Sequence, residues 1–180
     1  MKKVCIIFLL SIIISLSALG FSPAFQTNTE TRPNACESFI RIHIRADSNA
    51  EEAQNMKYIV RDGIVAYLTP RVAEYETQAE AITGVTACLA ELRAVAESLL
   101  VSRGYDYGAR VRLAREVFPT RVYEDFVLPS GEYLALVVEL GSGQGDNWWC
   151  VVYPPLCFTA GNGNIVYRSK ILQIIQSVLG

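Results

Sequence analysis

Histidine is nearly absent from this chain. His43 is the one imidazole in 180 residues, so any general acid–base role near neutral pH would fall on a single candidate. It stands between cations, in the run Arg41-Ile42-His43-Ile44-Arg45, and neighbouring positive charge disfavours a protonated ring. There is no HExxH, no CxxC and no His/Cys cluster at metal-ligand spacing. No Gly-x-Ser-x-Gly elbow offers a nucleophile. A basic excess is missing too: 16 lysines and arginines face 18 acidic residues, a net charge of −2, which argues against a nucleic-acid partner. The sequence therefore assigns no catalytic, cofactor-binding or metal-binding residue.

Charge is missing from one further place, the stretch between Lys3 and Glu30. Lys2 and Lys3 form a positive start, Val4 to Leu19 is an uncharged apolar run, and Ser22-Pro23-Ala24 sets small residues at −3 and −1 of a cleavage site after Ala24. That order is the anatomy of a secretory signal, so residues 1–24 are expected to be a signal peptide. An uncleaved anchor is the rival, since about 18 apolar residues can span a bilayer. Both readings place the rest of the chain outside the cytoplasm. Loss of Lys2 and Lys3 would take the net charge from −2 to −4.

Residues 25–37 are polar and unpatterned, as a linker is, and one domain is expected over 38–158, with 159–180 as a tail. Phe39 to Ala46 alternates apolar and polar residues with the period of a half-buried strand. Ser48 with Glu51, or Asn49 with Glu52, suits a capping box for a first helix that Thr69-Pro70 stops or kinks. Thr77 with Glu80 opens a second helix of about 25 residues, closed at Gly104. Strand patterns return at 107–115, 132–140 and 148–153, with 118–128 irregular or edge-like and Pro154-Pro155 as a stop. Strands joined by short loops must be mostly antiparallel. The expected fold is an α+β two-layer sandwich: about four strands, mostly antiparallel, with two amphipathic helices on one face.

Several clusters admit both a plain and a sharper reading. Gly141-Ser142-Gly143-Gln144-Gly145 has the composition of a phosphate loop, but it leads into a strand pattern rather than a helix N-terminus, which favours a flexible hairpin loop. Asp47, Glu51 and Glu52 could act as paired carboxylates, yet acids at a helix start are favoured by the dipole alone. Arg41, His43, Arg45, Arg110 and Arg112 would share the sheet face opposite the helices. That face is either ordinarily solvated or a docking surface for an acidic partner. Trp148 and Trp149 must point to opposite sides of their strand, so one of them, with Tyr153 and the stiff Pro154-Pro155 turn, is a candidate interface anchor. Of the four cysteines beyond the leader, Cys150 and Cys157 are a candidate disulfide in an exported chain. Cys88 suits a buried helix position, and Cys36 could reach it only if the fold brought them together.

The stretch Asn147 to Phe158, NWWCVVYPPLCF, resembles the signature of the stage II sporulation protein R family. Three other stretches fit: Ile42 to Arg61 with Asp62, containing Asp47-Ser48-Asn49; Phe118-Pro119-Thr120-Arg121 with Tyr123; and Val127 to Tyr133. Together they span about residues 39 to 158. Glu124-Asp125 after Tyr123 departs from the family pattern, and the chain ends soon after Phe158. The resemblance implies a protein exported from the forespore into the space between forespore and mother cell. There it would act as an activating ligand and not as an enzyme, switching on a membrane-embedded aspartic protease of the mother cell, which processes the sigma-E precursor. The alternative is a small cell-envelope hydrolase or ligand-binding domain.

Overall fold

The structure, a computed structural model, describes residues 35–123 and 126–155, all within the unit Arg32–Gly180. The leader, most of the expected linker, Cys157 and the C-terminal tail lie outside the described residues. In chain order the elements are α1 (Ala35–Ser38), β1 (Ile40–Arg45), α2 (Glu51–Val72), α3 (Gln78–Ala87), α4 (Leu89–Ser102), β2 (Ala109–Phe118), β3 (Arg121–Tyr123), β4 (Phe126–Leu128), β5 (Gly131–Leu140) and β6 (Asn147–Tyr153). Four strands form one sheet in the order β2-β5-β1-β6, and β3 and β4 pair as a separate ribbon. The β2/β5 and β1/β6 pairs are antiparallel and β1/β5 is parallel. The α+β class, the mostly antiparallel four-strand sheet and the helix layer agree with the expectation.

One sheet face carries Ile40, Ile42 and Ile44 of β1, Leu136, Val138 and Leu140 of β5, and Cys150 and Val152 of β6. Against them pack Met56, Val60, Ile64 and Leu68 of α2, Val85 of α3, and Leu92, Ala96 and Leu100 of α4. The helical positions recur at three- and four-residue intervals, the spacing that sets one stripe against a flat sheet. Each fully buried aliphatic side chain is worth about 1.5–3 kcal/mol in water exclusion.

The helices differ in detail from the sequence pattern. The expected second helix breaks at Cys88, whose backbone (φ −107°, ψ 15°) leaves the helical region between α3 and α4. No Pro or Gly marks the break, and the apolar stripe runs on across it. The first helix passes through Pro70 to Val72; a proline so near a C-terminus forfeits one hydrogen bond, and burial of Leu68 and Val72 offsets it. Thr77 caps α3 as expected, accepting from the Glu80 N–H at 3.2 Å, while the Glu80 carboxylate accepts the Glu76 N–H at 2.8 Å. Gly104 closes α4 in the left-handed region (φ +79°). Its N–H bonds Val101 and that of Tyr105 bonds Leu100, the paired bonds of a Schellman motif.

The glycine-rich segment 141–147 is not a hairpin loop. β1 lies between β5 and β6, so this connection crosses the C-terminal end of β1 and is tied to the turn there. Asp47 Oδ1 accepts the Ser142 N–H at 2.7 Å and Asn49 Oδ1 accepts that of Asp146 at 2.7 Å. The Gly145 N–H bonds the Ala46 carbonyl at 2.9 Å, and a Cβ at Gly145 would run into the Ser48 carbonyl. The buried Lys57 donates to the Asp146 carbonyl at 3.0 Å. The polar turn 47–49 thus anchors the crossover, and neither expected capping box forms at α2. Its N-cap is Ala50, with no side-chain cap.

Candidate functional site

The sheet face opposite the helices is not an ordinary solvated face. β1 is central and buried on both sides, and Arg41 and His43 are 0 % exposed. A second apolar cluster covers them: Phe39, Phe118, Leu128, Tyr133, Ala135, Val137 and Val151, with Cys36, Tyr123 and Trp149 at its margin. Cys36 reaches it from α1, which occupies the end of the expected linker. Leu128 and Tyr123 come from the β3–β4 ribbon. Alternation in the sequence marks the apolar side of a strand but not whether the polar side is covered, so the expected open face of five cations is corrected for Arg41 and His43.

Arg41 lies in an aromatic box. Its guanidinium carbon is 4.2 Å from the Phe118 ring centre, 5.1 Å from that of Tyr133 and 5.8 Å from that of Tyr123. Nη2 donates to the Tyr123 hydroxyl at 2.7 Å, and Nε and Nη1 have no hydrogen-bond partner among the described residues. Burial lowers the guanidinium pKa, partly opposed by Tyr123, but arginine stays charged. Cation–π attraction to three rings, roughly 0.5–2 kcal/mol for each well-placed ring, supplies part of the lost hydration. Burial raises the Tyr133 phenol pKa, with Cys36 adding and Arg41 opposing; its hydroxyl donates to the Pro129 carbonyl at 2.8 Å.

His43 packs between Phe118 (5.5 Å, stacked) and Trp149 (5.0 Å, edge-on). Neither ring nitrogen has a hydrogen-bond partner among the described residues. Burial first, then the Arg45 charge, pushes its pKa down to about 4, so it is neutral near pH 7 and enclosed.

The other arginines of this face meet acids that sequence reasoning had not placed. Arg45 pairs with Glu139 at 3.0 Å and Glu116 at 3.2 Å. Arg112 pairs with Glu116 at 3.0 Å and Glu139 at 3.5 Å. Both glutamates alternate on strands in step with the arginines, which was the available signal. Arg110 is exposed and has no ion pair among the described residues. Asp47, Glu51 and Glu52 do not converge: Asp47 holds the crossover while the two glutamates lie exposed in the first turn of α2.

Of the aromatic candidates, Trp148 and Trp149 are half-buried, whereas Tyr153, Pro154 and Pro155 are buried. Trp148 lies on the helix side, where Arg61 stands 5.6 Å from its ring and 4.9 Å from that of Tyr58. Trp149 takes the opposite side, 4.7 Å from Phe118, with Arg121 5.8 Å away. The Tyr153 hydroxyl donates to the Glu76 carbonyl at 2.9 Å. Cys150 is disulfide-bonded; Cys157, its expected partner, is outside the described residues. Cys36 and Cys88 keep their thiols, on opposite faces of the sheet.

The separated stretches that carried the resemblance meet in space. Phe118 and Tyr123 from one, and Leu128 and Tyr133 from another, enclose Arg41 and His43 of β1. The turn 47–49 holds the crossover that leads into Asn147 and Trp148. A family model described as stage II sporulation protein R matches residues 36–162. The chain is also 32 % identical over 174 residues to "Stage II sporulation protein R" of Bacillus subtilis (strain 168), covering 94 % of this chain and 78 % of that protein. This chain belongs to the stage II sporulation protein R family. No solved structure matches it. The family match begins at Cys36, inside α1, and takes in both sheet faces and the β3–β4 ribbon.

Proposed function

We propose that this chain is an exported signal of endospore formation. It leaves the forespore, enters the space between forespore and mother cell, and activates a membrane-embedded aspartic protease that processes the sigma-E precursor. The observation that carries this reading is membership of the stage II sporulation protein R family over the described domain. The leader at Lys2 to Ala24 supports export. The enclosed, neutral His43 suits a ligand better than a hydrolase, because it cannot meet a substrate from where it lies.

Docking is assigned to surface that remains available: Trp148 with Tyr58 and Arg61, and the exposed margin at Arg110 and Arg112. Tyr153, Pro154 and Pro155 are buried at the other end of β6 from Trp148 and are not assigned to the contact. The test is reconstitution in a non-sporulating host that expresses the exported chain, the protease and the sigma precursor. Precursor cleavage should rise when the chain is present; no rise would sink the reading. In the same assay Trp148→Ala should lower cleavage while leaving the fold intact by circular dichroism. A folded, fully active variant would remove Trp148 from the interface.

A further inference from the structure

The sheet has two edge strands, and they differ. β6 is buried from Cys150 to Tyr153. β2 is open: Arg110, Arg115 and Val117 are exposed, and only its end residues Ala109 and Phe118 are buried. β2 pairs with β5 along all ten residues, from Ala109 opposite Leu140 to Phe118 opposite Gly131, with no shift in register. Among the described residues no strand pairs with its other side. Every second N–H and C=O of β2 therefore points away from the sheet.

An edge of this kind is a template for another strand, and proteins blunt it with short length, proline, a bulge or charge. β2 is long for a strand, and it has no proline and no bulge. Charge is its one guard, and the charge is one-sided. β2 itself carries three arginines, Arg110, Arg112 and Arg115, against one acid, Glu116, which Arg45 and Arg112 already hold. Arg115 has only a loose contact with Glu132 at 3.7 Å, both side chains more than half exposed.

We propose that the outer edge of β2 is a docking site for an extended acidic segment of a partner protein, which adds to the sheet as a fifth strand. Strand alternation sets the chemistry of that segment. Arg110 and Arg112 lie on the face away from the helices and call for acids at every second position. Val111 and Leu113 lie on the helix side, partly buried against the main core, and call for apolar residues between those acids. A second copy of this chain fits less well, because it would bring the same arginine excess to the seam. The proposal holds whatever the partner's identity and does not rest on the protease reading.

The experiment is amide hydrogen exchange on the full chain, read residue by residue by NMR. The probe is a short end-capped peptide alternating valine and glutamate, and the control is the same peptide with lysine for glutamate. At a free-peptide concentration roughly tenfold above its Kd, the outward amides of β2 should exchange about tenfold more slowly. The inward amides bonded to β5 should change little, and the lysine peptide should do nothing. Arg110→Glu combined with Arg112→Glu should reverse the preference to the lysine peptide. Unchanged β2 amides, or protection elsewhere, would overturn the proposal. So would outward amides that become protected with rising chain concentration alone, which would assign the edge to a second copy. Because the decisive measurement is made on the unaltered chain, a variant that failed to fold would not leave the question open.

Discussion

The two faces of the sheet are built from one set of strands and stabilised by different means. The helix side is apolar apart from Lys57, whose ammonium is hydrogen-bonded, with three helices laid on Ile40, Ile42, Ile44, Leu136, Val138 and Val152. The opposite side buries a guanidinium and an imidazole under aromatic rings, and four of their side-chain nitrogens lack hydrogen-bond partners among the described residues. A buried polar atom without a partner costs about 1–3 kcal/mol, and a buried charge more. The aromatic face therefore sets a desolvation cost against the burial of Phe39, Phe118, Tyr133, Val137 and Val151. Arg41 also ties the β3–β4 ribbon to β1, through its hydrogen bond to the Tyr123 hydroxyl.

A pair of substitutions tests that contrast directly. Ile42→Ala, on the helix side of β1, should destabilise by about 2–5 kcal/mol through lost burial and a cavity. Arg41→Met, one position away on the other face, should cost far less or even stabilise, because it removes a buried charge that its ring contacts only partly compensate while keeping most of the volume. Chemical denaturation of the two variants makes the comparison. Equal, large losses would mean that the cation–π box holds the fold rather than taxing it.

His43 gives the aromatic face its own pH signature. Its pKa lies near 4 in the folded chain, against an ordinary 6.5, so the unfolded chain binds the proton first as pH falls. Burial and Arg45 set that direction; Glu116 and Glu139 oppose it, and Arg112 adds to it. Stability from the neutral ring is complete above about pH 6.5 and is lost as pH drops toward 4, on the order of 3 kcal/mol in all. His43→Phe, filling the same space between Phe118 and Trp149, should flatten the stability profile over that window. A wild-type profile no steeper than the variant's would show that the ring reaches solvent.

The same contrast separates what was legible in the sequence from what was not. Apolar periodicity is a local signal, and it located the helix face: β1, α2 and the stripe over α3 and α4 all follow it. The cover on the other face is a tertiary fact. Nothing near Arg41 in sequence says that Phe118, Tyr123 and Tyr133 will close over it, and three-residue strands such as β3 and β4 are too short for a period to register. The crossover 141–147 was misread for the same reason, since a hairpin and a connection passing over β1 share their glycines and differ only in strand order. The motif stretches pointed to the right residues without indicating that they meet.

Gly145 shows how that crossover constrains the chain. A Cβ there meets the Ser48 carbonyl and the Ala46 side chain, and neither lies at the end of a flexible group. Gly145→Ala should cost roughly 1–3 kcal/mol as overpacking, and thermal unfolding should reveal it. Gly108→Ala, where the nearest atom is a Glu97 carboxylate oxygen at 3.4 Å, is the control and should be nearly neutral.

The smallest effect belongs to the ion-pair network, where the open margin of the aromatic face meets water. Glu116 serves both Arg45 and Arg112, with side chains 19 %, 28 % and 43 % exposed. Pairs this wet are screened and contribute little. Glu116→Gln should therefore cost less than about 1 kcal/mol, and the difference from wild type should shrink further in high salt. The substitution also frees positive charge beside the β2 edge, so affinity for the valine–glutamate peptide should rise as stability falls slightly. If stability and peptide affinity moved in the same direction, Glu116 would be part of the structural frame rather than a brake on the edge.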